Sequence, residues 1–175
     1  MILLSVILII ATLVIDQITK LLVIKHIDLY EVINVIKIGS QEIFSLTHVR
    51  NKGAAWSSFS SKTTMFTAVT FVLVIGLLVL LYVKPVQKKL LGRDINVIET
   101  VSFSLIISGG IGNIIDRIRL KEVVDFIKTD FIDFPIFNFA DICVVIGCFM
   151  FIIDIIVSDA VEARNKRLDT ENSDG

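Results

Sequence analysis

Four times the sequence runs for about 20 residues with almost no polar relief, at about 2–24, 63–83, 95–117 and 137–157. That is the length an α-helix needs to cross roughly 30 Å of hydrocarbon. With 54% hydrophobic residues and a mean hydropathy of +0.82, the chain is too apolar to present a polar surface to water. The expected fold class is an all-α polytopic membrane protein with four transmembrane helices, and the 175 residues leave almost nothing for a second domain.

The first apolar stretch, ILLSVILIIATLVI, lacks a basic leader and runs into DQITKLLVI instead of a small-residue cleavage site, so it reads as a retained first span. Lys84, Lys88, Lys89 and Arg93 crowd between spans two and three, and Arg164, Lys166 and Arg167 follow span four. Short loops rich in Lys and Arg stay in the cytoplasm. Both termini are therefore expected inside, with 158–175 a charged cytoplasmic tail that frays, and the two longer connections outside. Cys143 and Cys148 show no metal-ligand pattern and read as small packing residues. A formal net charge of −1 leaves no nucleic-acid footprint.

Segment 30–50 alternates apolar and polar residues around Gly39-Ser40-Gln41, which suits a hairpin or small sheet at the outer surface. In span three, Ser104, Ser108, Gly112 and Asp116 follow one another four residues apart, with Gly109 and Asn113 beside them. Small residues at that spacing let another helix approach closely, so this stripe points inward.

The expensive residues then fall at one depth. Asp16, Gln17 and Lys20 lie late in span one, Asn113, Asp116 and Arg117 end span three, and Asn138 and Asp141 begin span four. Asn51 and Asp125 lie in the outer connections. Intramembrane ionisable groups mark function by default. Asp141 must belong to its span, because the apolar run from Ile142 to Ile153 would cover only about 18 Å as a helix.

Ordinary readings stand beside these. Asp16 and Lys20 are four apart with the acid first, the favourable order for a helix ion pair, so structural support accounts for them before chemistry does. A charge snorkelling at a helix end explains Arg117 as well as a substrate contact does. NKGAAW can be only a turn, and Asp125, Asp130 and Asp133 can be solvated loop acids. Asp154 reads as an inner-interface residue, and His26 and His48 as surface histidines without paired-ligand spacing.

Two carboxylates close together in a partly dry site cannot both ionise, so they share a proton. One can activate water as a general base while the other protonates, the division of labour of aspartic proteases. No metal or other cofactor is required. Two other classes compete: a proton-coupled small membrane transporter, for which buried acids would form a relay, and a phospholipid-headgroup enzyme. The acids cluster at the outer side, with only Glu99 and Asp154 near the inner end, and no metal-binding acidic repeat or basic phosphate cradle is visible.

DQITK (16–20), NKGAAWS (51–57), GGIGNIIDR (109–117), VVDF (123–126) and FNFAD (137–141) occur in an order and at spacings that resemble the lipoprotein signal peptidases, the type II signal peptidases of bacteria. The resemblance runs from Ile2 to about Ile156. It implies an inner-membrane aspartic endopeptidase that cuts prolipoproteins just before a diacylglyceryl-modified cysteine, and a monomer is expected. Asp125 and Asp141 match the family's catalytic pair. Asn51, Gly53, Asn113, Arg117, Asn138 and Ala140 match positions that line the site or hold substrate and globomycin-type inhibitors. Asp16, Lys20 and Asp116 match supporting positions. Trp56 departs from the phenylalanine common at its place, a change that touches neither carboxylate.

Overall fold

The computed structural model describes residues 1–52 and 63–173. Four of the described helices are long and apolar enough to cross a membrane. The chain runs through α1 (Ile2–His26), β1 (Val32–Ile38), β2 (Gln41–Asn51), α2 (Thr63–Tyr82), α3 (Lys84–Leu91), α4 (Val97–Leu120), β3 (Val123–Thr129) and α5 (Phe139–Ser173). It is a multi-pass membrane protein with a small antiparallel sheet at one end.

Helix α4 is the centre of the bundle. Two thirds of its spanning window (67%) is buried, against 11% in α1 and α2, and it packs on α1, α2 and α5. The stripe of small residues explains this. A Cβ on Gly109 would lie 2.8 Å from Val144 Cγ2 and closer still to the Ala140 carbonyl oxygen, and one on Gly112 would run into the Asp16 carboxylate. The seryl hydroxyls of the stripe are spent on their own helix, as Ser104 Oγ donates to Thr100 O at 2.6 Å. Lipid tails are as apolar as leucine, so close packing and internal hydrogen bonds hold such helices together. Phe103 and Ile107 fill the core between them with Val74 and Leu81, while Val72 and Leu73 of α2 point away from the protein.

One end of the bundle is pinned by polar contacts. Asn96 caps α4 in a reciprocal capping box with Glu99, whose carboxylate also takes both Arg93 guanidinium nitrogens at 2.8 and 2.9 Å. Asn96 Nδ2 reaches across to buried Asp154. The basic segment between spans two and three, expected only as a loop, contains α3. It carries Pro85 in its first turn and ends at Gly92 in the left-handed region (φ 68°), the conformation for which glycine is favoured.

At the other end the strand order is β1-β2-β3. The expected hairpin is β1 and β2, turning at Gly39 (φ 63°). The third strand lies within 118–136, expected as a plain outer connection. Val23 of α1 and Ile27 just past its end pack with Val124 and Phe126, fixing the sheet to the bundle. Helix α5 runs to Ser173, through most of the tail 158–175 that was expected to fray, and no Gly or Pro interrupts residues 158–173. Of the two cysteines, Cys143 is buried and Cys148 exposed.

Candidate active site

The position of Asp141 follows from how α5 starts. Asn138 Oδ1 accepts from Asp141 N at 3.1 Å, and Asp141 Oδ2 accepts from Asn138 N at 3.1 Å. This reciprocal pair is a capping box with Asn and Asp in the places usually taken by Ser/Thr and Glu. Asp141 therefore sits in the first helical turn, where unpaired backbone N–H groups favour negative charge.

Asp125 is carried by β3, 3% exposed. Val49 faces Asp125 and Asn51 faces Val123 in the β2–β3 ladder, so Asn51 and Asp125 are diagonal neighbours on one face. Asn51 Nδ2 donates to Asp125 Oδ2 at 2.7 Å. Asn138 Nδ2 donates to the other oxygen, Oδ1, also at 2.7 Å.

Two amides join the aspartates. Asn138 Nδ2 also reaches Asn113 Oδ1 (3.1 Å), and Asn113 Nδ2 donates to Asp141 Oδ1 (2.8 Å). Behind them lies a charged layer. Lys20, 1% exposed, sits 3.0 Å from both Asp16 Oδ2 and Asp116 Oδ2 and donates to Asn113 Oδ1 at 2.9 Å. Asp16 Oδ1 accepts from Ala140 N (3.0 Å), and Asp116 Oδ2 accepts from Val124 N (3.1 Å). Asp16, Lys20 and Asp116 thus tie α1 and α4 to the backbones that carry Asp125 and Asp141.

Arg117 faces the charge of Asp141, Asp125 and Asp116, and its buried Nε has no hydrogen-bond partner among the described residues. Asp125 lines a cavity of about 1160 Å³ together with Asn51, Arg50, Lys128, Phe131 and Phe134. Burial pushes the Asp125 carboxyl up to about 6, with the neighbouring Asp141 adding to the push and the Asn51 and Asn138 amides opposing it.

All but one of the expected site residues meet at this end of the bundle. Gly53, like Trp56, lies outside the described residues. Two other expectations need correcting. His48 is buried, not a surface residue, hydrogen-bonded through Nδ1 to Ile27 O (3.0 Å) and accepting from Arg50 Nε at Nε2 (3.0 Å). Its strand position, two residues from half-buried Leu46, was the available signal. Asp130 is not merely solvated, since it binds Lys128 at 2.5 Å and the Ser45 hydroxyl. Among the described residues, no group of three or more His, Cys, Asp or Glu side chains is placed to hold a metal ion.

A family model described as signal peptidase (SPase) II matches residues 8–157. The chain belongs to the signal peptidase II family. The lipoprotein signal peptidase of Clostridium tetani is 38% identical over 163 residues, covering 91% of this chain and 97% of its own. That of Streptococcus agalactiae serotype V is 42% identical over 132 residues, covering 75% and 78%. A solved structure described as a bacterial membrane enzyme, determined by the in meso method at 2.3 Å resolution, superposes with a TM-score of 0.75 at 32% identity, covering 89% of this chain and 88% of that one. A second one, at 1.9 Å, gives 0.74 at 33% identity, covering 86% and 91%. As a signal peptidase II family member the chain is a protease, and the transporter alternative has no support in these matches.

Proposed function

We propose that this protein removes the signal peptide from bacterial prolipoproteins by aspartic chemistry, cleaving before the diacylglyceryl-modified cysteine. The observation that carries the reading is the joining of buried Asp125 to Asp141 through Asn138 and Asn113. Asp125, the carboxyl raised by burial, holds the shared proton and gives it to the scissile carbonyl oxygen. Asp141 as carboxylate takes a proton from water, whose oxygen adds to the carbonyl carbon and forms a neutral diol. On collapse the C–N bond breaks, the leaving nitrogen gains a proton, and the acyl product is a carboxylic acid.

Asn51, Asn113 and Asn138 orient the two carboxylates. Arg117 contacts the substrate, as does Gly53 by its place in the family motif, whereas Ala140, fully buried with its N–H bound to Asp16, supports the start of α5 and does not face the substrate as the family resemblance implied. The lipid chains of the substrate stay in the bilayer while its signal helix enters between spans, and globomycin-type peptides compete for that place. The protein works as a monomer in the cytoplasmic membrane, with both termini inside. The basic residues Lys84, Lys88 and Lys89 lie at the end opposite the aspartates, which supports a site at the outer face.

The test is incubation of purified protein with diacylglyceryl-modified prolipoprotein, with and without globomycin, read on a gel. Lipidated precursor should be cut, unlipidated precursor left intact, and globomycin should block the cut. An Asp141→Asn variant that cleaves at the parent rate would sink the assignment.

A further inference from the structure

We propose that α3 is a docking surface for the headgroups of anionic phospholipids, at the end of the bundle opposite Asp125 and Asp141. At about 100° per residue, Lys84, Lys88 and Lys89 share one side of this eight-residue helix. All three are exposed, and none is in an ion pair among the described residues. Arg93, just beyond, is by contrast bound to Glu99.

The opposite side fixes how the helix lies. Gln87 is 4% exposed and donates to Leu81 O at 3.0 Å, clamping α3 against the end of α2. Leu90 is 68% exposed, and Val97 and Ile98 on the first turn of α4 are 56% and 46% exposed. Only Val83 separates α3 from α2, so α3 begins where a spanning helix leaves the hydrocarbon.

A short helix with lysines on one side and exposed Leu90 on the other, flanked by exposed Val97 and Ile98 of α4 and held at that depth, has the arrangement of an interfacial amphipathic helix. Three ammonium groups outside any ion pair among the described residues, with Asp94 beside Lys84 in one cavity, complement a headgroup of net negative charge. Each lysine near an anionic surface enriches it about fivefold. A soluble acidic protein would meet only this one short helix, whereas the lipid is already present beside every spanning helix. The inference is independent of the proposed cleavage.

The test places the full-length protein in nanodiscs of equal phosphatidylglycerol and phosphatidylcholine and reads the retained lipids by native mass spectrometry. The parent should retain phosphatidylglycerol over phosphatidylcholine by about 100-fold, a factor of about five for each of the three lysines, with the preference falling as salt is raised. K84Q/K88Q/K89Q should bring the ratio close to one, and the corresponding triple arginine variant should keep it. Should the triple glutamine variant fail to fold, Lys88→Gln alone should lower the ratio by about fivefold. Unchanged retention in the lysine variants would overturn the proposal, as would equal loss in K25Q/K37Q at the other end. Displacement of the lipid by inorganic phosphate at equal concentration would also overturn it, pointing to a free-anion site.

Discussion

Replacing Asn138 with alanine removes one fully buried amide that touches only one of the two aspartates with its donor. The substitution takes the 2.7 Å bond from Asp125 Oδ1 and the 3.1 Å bond from Asn113, and it takes the cap from Asp141 N. It leaves Asp141 its donors, Asn113 Nδ2 and the backbone N of residue 138. Losing the cap costs about 1 kcal/mol, and losing a hydrogen bond to a charged group costs about 1.5 to 3 kcal/mol. The fold should therefore be weakened by about 3 kcal/mol. The second loss is specific to the ionised form of Asp125. An amide donor favours the carboxylate, so its removal raises the carboxyl further, by about one pH unit for each 1.4 kcal/mol. From about 6 in the parent, the alkaline limb of kcat/KM should move up by about one to two pH units. The assay is a pH series of kcat/KM on a fluorogenic diacylglyceryl-modified peptide, where the height should fall about 10- to 100-fold. A limb that stays in place while the height falls would refute the reasoning, because Asn138 would then be only a helix cap.

Three other outcomes follow from the same geometry. Lys20→Met leaves Asp16 and Asp116 buried without their cation and should destabilise the protein by about 3 to 5 kcal/mol, read by thermal unfolding in detergent, with Asp116→Asn in the same chain recovering part of the loss. Gly112→Ala pushes a methyl group into the Asp16 carboxylate and should cost about 1 to 3 kcal/mol, whereas Gly76→Ala, with open space around it, should be neutral. Asp125 binds its proton more tightly folded, at about 6, than at its ordinary 3.8, so ionising it opposes folding. That opposition is fully present above about pH 6 and disappears as the pH falls toward 4, so denaturant midpoints should rise over that interval in the parent and flatten in Asp125→Asn.

The spans were legible because hydrocarbon leaves a signal that context cannot reverse, and the inward face of α4 was legible because small residues four apart have few other uses in a membrane helix. Strand β3 was hidden by the carboxylate it carries. Asp125 interrupts VVDFI, and a charged residue amid β-branched ones reads as a loop until a partner strand and the Asn51 amide are there to meet it. The capping box at Asn138 was written in the sequence as N-x-x-D, but aspartate is a less usual second member than glutamate, and the aspartate drew attention as a membrane charge. The burial of His48 depends on Ile27 and Arg50 converging on it, a tertiary fact. Helix α3 was too short for periodicity to separate from a basic loop.

The order of the polar residues has a reason that their identities alone do not give. Lys20 can only donate, so its bond at 2.9 Å fixes the Asn113 oxygen toward it. Asn113 is then left with its nitrogen to offer Asp141. The same oxygen takes the Asn138 nitrogen, which is shared with Asp125, while the Asn138 oxygen turns to Asp141 N. One buried ammonium thereby sets the direction of both amides. The amides in turn reach the two aspartates with donors that carry no charge. A lysine in either place would hold its aspartate ionised by Coulombic attraction, and a pair fixed in that state would have no proton to give. Keeping Lys20 one amide away, paired with Asp16 and Asp116, lets the fold use its charge for rigidity without placing an ammonium on Asp125 or Asp141.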